Sequence, residues 1–215
     1  MIKKVAPSFD ISALTESKYA SLAELFAEME QMRDDPLANA GTKMVISRGN
    51  PKARLLIIGE APGSEENRQG KPFVGSSGKL LDKILQADGF DPEQDVFITN
   101  SVFRMPPGGA GKVFRKPSMA EIDYYRPYVF AIIRLIDPLI ILLTGNVACQ
   151  SVLGKTGITT LRGKWTHLQD YWIMPIFHPS YLLRNPSRGP GSPQAQMQAD
   201  IRKVRKKYNE LIEKQ

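Results

Sequence analysis

The sequence predicts an α/β protein: a mostly parallel, four-stranded sheet covered on both faces by helices. Two observations carry this. Four short apolar runs of strand length, at residues 55–58, 95–100, 139–143 and 171–177, alternate with longer stretches of helical spacing. Each run also stops at a turn-forming or polar residue, namely Gly59-Glu60, Asn100, Thr144-Gly145 and His178. Right-handed crossovers put all parallel strand ends on one rim, so these residues are expected to converge there. Ligand crevices of open α/β sheets lie outside that rim.

The elements follow in chain order. Residues 1–18 are mixed and read as a peripheral segment of a single domain spanning 1–215. Residues 19–32 have helical spacing through Leu22, Leu25, Phe26 and Met29, ended by Asp34-Asp35-Pro36. Residues 44–46 are expected to form a short edge strand, and 55–58 the first buried one. The turn Glu60-Ala61-Pro62-Gly63 leads through a polar loop to Lys71-Pro72-Phe73-Val74-Gly75, where Phe73 reads as an exposed aromatic. A helix follows over 78–87, with Leu80, Leu81, Ile84 and Leu85 inward and Gly89 as its stop signal. Residues 105–118 are rich in Gly, Pro and basic side chains and read as a mobile loop. Ser118 with Glu121 offers a capping box for a helix that reaches about Ile136. Asn146 is expected to cap a short helix to Leu153, and Tyr181 to begin a turn or helix after His178-Pro179-Ser180. A last helix over 194–214 carries Met197, Ile201, Val204, Tyr208 and Leu211 at helical spacing.

Composition narrows the function classes. The 215 residues are 42% hydrophobic and 24% charged, the balance of a globular chain. No apolar run approaches the roughly 20 residues of a membrane span, and the basic start MIKK is followed by no signal-like apolar core. Cys149 is the only cysteine, which fits a reducing, cytoplasmic compartment and excludes an internal disulfide. The net charge is +7, and residues 176–215 hold eight Lys/Arg against three acids. A basic end suits a polyanion such as nucleic acid, although a solvated helix face accounts for it equally well. Neither a GxxxxGK[ST] loop nor a strand-linked GxGxxG occurs, which disfavours a nucleotide-binding α/β protein.

The converging residues suit a nucleobase. Phe73 supplies a stacking face, and the amide of Asn100 can pair with a donor–acceptor edge. His178 supplies a donor where negative charge develops. Glu60 can orient a water or favour a cationic sugar. Each also has a purely structural explanation: Phe73 as a core plug, Asn100 as a turn residue, His178 as a helix cap. Glu60 is the hardest to explain that way, because a strand-end carboxylate near a core costs desolvation.

GEAPG at 59–63, GKPFVG at 70–75, ITN at 98–100 and HPSYLLR at 178–184, in this order, resemble the family 4 uracil-DNA glycosylases. The resemblance covers about residues 50–208. It implies a compact three-layer α/β/α sandwich and hydrolysis of the N-glycosidic bond of uracil in DNA, with free uracil and abasic DNA as products. It further implies that Glu60 belongs to the water-handling motif, that Gly59 and Ala61 help bind the substrate, and that Phe73 stacks on the flipped base. Asn100 then reads the uracil edge, and His178 bonds its O2. Leu182 and Leu183 fall in the DNA-intercalating loop, Tyr181 contacts DNA beside it, and Arg184 holds phosphate.

Three departures from the family pattern matter. Its members usually carry four cysteines for an iron–sulfur cluster, and the matching places here hold Met32, Asp35, Arg104 and Tyr125. No thiolate array can form from these, so no cluster, no metal and no other cofactor is expected. Asn67 stands where the family often has an acid. The loop 108–116 is longer than in typical members and resembles a subgroup whose extended basic loop traps uracil through a histidine. This chain has only His167 and His178, so Lys112, Arg115 and Lys116 are expected to grip DNA instead. Nothing in the sequence requires more than a monomer. Two other readings remain at this point: a glycosylase acting mainly on hypoxanthine or xanthine, and a non-catalytic uracil- or DNA-binding member.

Overall fold

The computed structural model describes residues 18–109 and 113–214. Its centre is a six-stranded sheet in the order β1-β3-β2-β4-β6-β5. The strands are β1 (Ser47–Gly49), β2 (Leu55–Gly59), β3 (Val96–Asn100), β4 (Ile140–Thr144), β5 (Thr166–Leu168) and β6 (Tyr171–Ile176). The four expected strands are the parallel centre, β3-β2-β4-β6. Beyond that expectation, β1 and β5 add antiparallel edges. The first edge strand begins at Ser47, just past residues 44–46.

Helices flank both faces. Those before the third strand are α1 (Leu22–Gln31), α2 (Ser64–Gln69) and α3 (Ser76–Ala87). After it come α4 (Met119–Ile136), α5 (Gly145–Leu153), α6 (Ile158–Leu161), α7 (Pro179–Arg184) and α8 (Pro193–Ile212). Successive strand residues point to opposite faces, and β2 shows the result. Leu56 and Ile58 join the core shared with α1, α4 and α5, while Leu55 and Ile57 join the core under α3, α7 and α8. The two cores and the sheet make three layers.

Caps fix most helix ends. Ser21 accepts from Glu24 N at the start of α1. Ser118 and Glu121 form the expected capping box of α4. Asn146 does not cap α5: it lies inside that helix, and its Oδ1 accepts from Gly157 N and Ile158 N at the start of α6. The stretch read as a polar loop contains α2, a helix with no buried residue.

The chain leaves β2 to form β3 on one side, then returns past β2 to form β4 on the other. That reversal opens a crevice at the carboxyl ends of the central strands.

Candidate active site

The crevice is a cleft of about 790 Å³ whose walls include Glu60, Phe73, Asn100, Gly145 and His178. The strand-end residues expected to converge therefore do so. Gly59 pairs in register with Asn100 across β2 and β3. A Cβ on Gly59 would fall 2.5 Å from the Phe73 ring and against the Asn100 carbonyl oxygen, so only glycine leaves room for both side chains.

Phe73 is 6% exposed, not the exposed aromatic expected from its loop position. Its ring is one wall of the cleft and also part of the core under α3, with its centroid 6.0 Å from that of His178. The backbone there has φ of 54°, a left-handed conformation that a bulky residue adopts only when its surroundings impose it. Two side chains impose it. Glu66 Oε1 accepts from Val74 N at 2.9 Å and Gly75 N at 2.8 Å, while its Oε2 accepts from Gly63 N at 3.2 Å. Arg48 Nε donates to Pro72 O at 3.0 Å, and its other nitrogens are paired with Asp82 and Glu93. Neither clamp was anticipated from sequence. Glu66 had one local signal, an acid three residues past a helix cap; Arg48 had none. Asn67, at the position that departs from the family pattern, accepts from Lys43 N at 2.8 Å and ties α2 to the preceding loop.

His178 caps α7. Its Nδ1 accepts from the backbone N–H of Ser180 at 3.2 Å and lies 2.8 Å from Ser180 Oγ. A backbone N–H can only donate, so Nδ1 is the acceptor and the neutral ring carries its proton on Nε2. Burial, with the Arg184 and Lys116 cations adding to it, lowers the His178 pKa to about 4. The ring is thus neutral at ordinary pH, with an N–H donor left over. Gly145, at φ of 86°, brings β4 close enough that a Cβ would sit 3.1 Å from the His178 Cβ.

Burial raises the Glu60 carboxyl, and Lys116 and Arg184 partly offset that. Among the described residues no hydrogen bond is made to the side chains of Glu60 or Asn100, although Asn100 is 2% exposed. Buried polar groups are normally paired. These two are held ready for something that enters the cleft.

The rim carries the remaining candidates. Ala61, Tyr181, Arg184, Arg115 and Lys116 line the mouth, and Leu183 is 44% exposed on α7 beside it. Leu182 is 2% exposed and packs into the core, so of the two leucines only Leu183 faces outward. Arg115 is held by Glu121 through two hydrogen bonds of 2.8 and 2.6 Å. Lys112 lies outside the described residues. His167 sits on edge strand β5, its ring 4.9 Å from that of Trp172, and is not part of the cleft lining.

The four positions that match cluster cysteines also meet. Asp35 accepts from Arg104 Nε at 3.0 Å, Tyr125 Oη at 2.5 Å and Leu37 N at 3.0 Å. The other Arg104 nitrogens donate to Thr42 O and Met32 O. A guanidinium at the centre, with a phenol and a single carboxylate around it, is the wrong donor set for iron, and its charge repels a cation. These residues do not fit an iron–sulfur cluster. No group of three or more His, Cys, Asp or Glu that could hold a metal occurs among the described residues. Cys149 is buried in α5, and burial pushes its thiol up to about 12.

The comparisons agree with the geometry. A type-4 uracil-DNA glycosylase of Thermotoga maritima is 38% identical over 157 residues, covering 71% of this chain and 78% of that protein. One from Sulfurisphaera tokodaii is 34% identical over 177 residues, covering 78% of each chain. A DNA polymerase of Bacillus phage SP01 is 35% identical over 152 residues, which is 71% of this chain and 16% of that protein. The family model of the Uracil DNA glycosylase superfamily matches residues 46–206, from β1 into α8 and across every wall of the cleft. This chain belongs to the Uracil DNA glycosylase superfamily.

Proposed function

We propose that the protein hydrolyses the N-glycosidic bond of uracil in DNA, releasing free uracil and leaving an abasic site, the first step of base-excision repair. The observation that carries this is the neutral His178 ring, whose Nε2–H is free while Nδ1 is occupied by Ser180. The superfamily membership and the type-4 relatives support the same reaction.

An extruded base enters the cleft and stacks on Phe73, whose ring Glu66 and Arg48 hold in place. The Asn100 amide pairs with the base edge, and the absence of an internal partner leaves it free to do so. The C1′–N1 bond then breaks with its electron pair going to uracil. Negative charge grows on the uracil O2, and the His178 Nε2–H stabilises it with no reorganisation of the site. The ionised Glu60 stabilises the cationic sugar and orients the water that adds to C1′. That water loses a proton to Glu60 and thence to solvent, and the departing uracil anion takes up a proton from solvent, which completes the hydrolysis. No step calls for a metal, and the Asp35–Arg104–Tyr125 knot supports a protein that carries no cluster.

Extrusion leaves a gap in the stack, and filling it offsets part of the unstacking cost. The exposure of Leu183 beside the cleft supports this role for it, and Tyr181, near it in sequence, lines the cleft. Arg184 and Lys116 then take phosphates, a contact without sequence preference. The phage polymerase match, 152 residues within a much longer chain, supports reading residues 1–215 as a single domain. We further propose a cytoplasmic monomer acting on uracil-containing DNA. No helix among the described residues is long and apolar enough to cross a membrane.

The test is alkaline cleavage of a uracil-containing oligonucleotide by the protein and by its His178→Ala variant, beside substrates carrying hypoxanthine or xanthine. Excision confined to uracil and lost in the variant is expected. Excision of hypoxanthine in preference to uracil would replace the substrate while keeping the reaction class.

A further inference from the structure

The segment after β3 leaves the sheet and folds back as a short ribbon. Pro107 and Phe114 form an antiparallel bridge, Gly108 N donates to Val113 O at 3.2 Å, and Arg115 N donates to Pro106 O at 3.1 Å. The ribbon is anchored rather than loose. Arg115 grips Glu121, a 4% exposed residue already fixed in the capping box of α4.

What the anchored ribbon presents is unusual. Val113 is 66% exposed and Phe114 is 52% exposed, the two most exposed large apolar side chains among the described residues. Phe114 also lines the cleft, so its ring stands at the mouth and not on an unrelated surface. Lys116, two residues on, lies close enough to the pocket for its charge to act on both Glu60 and His178. An exposed aromatic face next to the cleft that holds Phe73, Asn100 and His178, and flanked by cations, matches the way single-stranded nucleic acid is held. There, bases stack on aromatic rings while basic side chains follow the phosphates. A protein partner would be expected to demand a broader apolar patch with fewer charges at its centre.

We propose that Phe114 is a stacking platform for the base next to the extruded nucleotide, giving the enzyme a grip on single-stranded uracil DNA. This rests on the assignment of the cleft as a uracil pocket. When a nucleotide leaves the stack its neighbour loses one face, and Phe114 replaces it. In a duplex the neighbour keeps its pairing partner and much of its stacking, so the platform matters less there. Phe114 is thus a DNA-positioning residue, distinct from Phe73, which contacts the extruded base itself.

The test uses the full chain and single-stranded oligonucleotides with 2-aminopurine on one or the other side of 2′-fluoro-deoxyuridine, whose fluorine disfavours the sugar cation and prevents turnover. Wild-type protein is expected to quench 2-aminopurine on one flank. Phe114→Ala should abolish that change, and Phe114→Trp should restore it. On ordinary uracil DNA, Phe114→Ala should lose about tenfold in kcat/KM on single strands and much less on duplex. Inhibition by free uracil and the thermal melt should stay as in wild type. Equal quenching by Phe114→Ala, or equal losses on both substrates, overturns the platform. So does a variant that changes only the self-association of the protein, which would assign the patch to a second copy. Wild-type quenching without excision of uracil would instead sink the glycosylase reading and leave the platform standing.

Discussion

Asp35 is 4% exposed and accepts three hydrogen bonds, including one from a guanidinium that itself spends its remaining nitrogens on backbone carbonyls. Glu60, at the end of β2, has no hydrogen-bonding partner for its carboxylate among the described residues, and its pKa is raised by burial. The knot and the cleft both take polar groups out of water. In the knot the side chains of Asp35, Arg104 and Tyr125 are consumed by one another and by backbone carbonyls, and the result is a staple between the segment after α1, the segment after β3, and α4. In the cleft the groups remain unspent and aimed at shared space. Buried polarity is paired internally in the first case and left open toward the cleft in the second.

The comparison predicts that substitutions in the two places fail in different ways. Arg104→Met strands the Asp35 carboxylate in the core and should cost about 3–5 kcal/mol of stability, read by chemical denaturation. The folded fraction should keep its specific activity. Replacing Asp35 and Arg104 together by apolar residues should cost much less than Arg104→Met alone. A double variant as unstable as the single one would refute the staple.

His178→Ala should do the reverse. Loss of one preorganised donor typically costs roughly 10²–10³ in kcat, about 2.7–4 kcal/mol, while the fold loses only the α7 cap, about 1 kcal/mol of stability. Glu66→Ala lies between the two regions. It unpairs three backbone N–H groups, two of them beside the strained Phe73 and one at the start of α2, so about 1–3 kcal/mol of stability should go with a fall in kcat. Glu66→Gln keeps an acceptor and should recover part of both.

Smaller effects sharpen the electrostatics. The His178 pKa of about 4 lies below its ordinary 6.5, so the neutral donor persists through the usual assay range. No inflection in kcat should appear near pH 6.5. The same displacement makes the unfolded chain bind more protons than the folded one between those two values, so His178 contributes stability above pH 6.5 that is lost as pH falls toward 4. The acid limb of the rate belongs to Glu60 and should lie above the ordinary carboxylate value. Lys116→Ala removes a cation that lowers the Glu60 pKa, so the limb should move to higher pH. A limb that does not move would show that Lys116 faces elsewhere. Tyr125→Phe is the mildest change: Asp35 keeps two donors, and about 1 kcal/mol should be lost.

Local signals made the centre of the fold legible. The four parallel strands are continuous apolar runs because both faces are covered, and each candidate catalytic residue follows such a run directly. The edges were harder to read. β1 and β5 are three residues each, only partly buried and without an alternating pattern. Helix α2 is polar throughout, so no periodic apolar stripe announces it. The knot joins Asp35 to residues 69 and 90 positions away, and no local pattern encodes such a partnership. Phe73 misled for a related reason. Its loop position suggested exposure, whereas clamps from Arg48 and Glu66 turn the ring inward. Phe114 left no trace in the pattern, because an isolated aromatic in a Gly- and Pro-rich loop has no period to break.

The central claim is that this chain excises uracil with a neutral histidine and without a cluster. The most direct measurement is release of free uracil from a uracil-containing oligonucleotide by protein purified and assayed in chelator, with iron content determined on the same sample. Stoichiometric release by iron-free wild-type protein, reduced at least about 10²-fold in a folded His178→Ala variant, is the predicted result. Release that depends on added iron, or that survives intact in His178→Ala, would contradict the account.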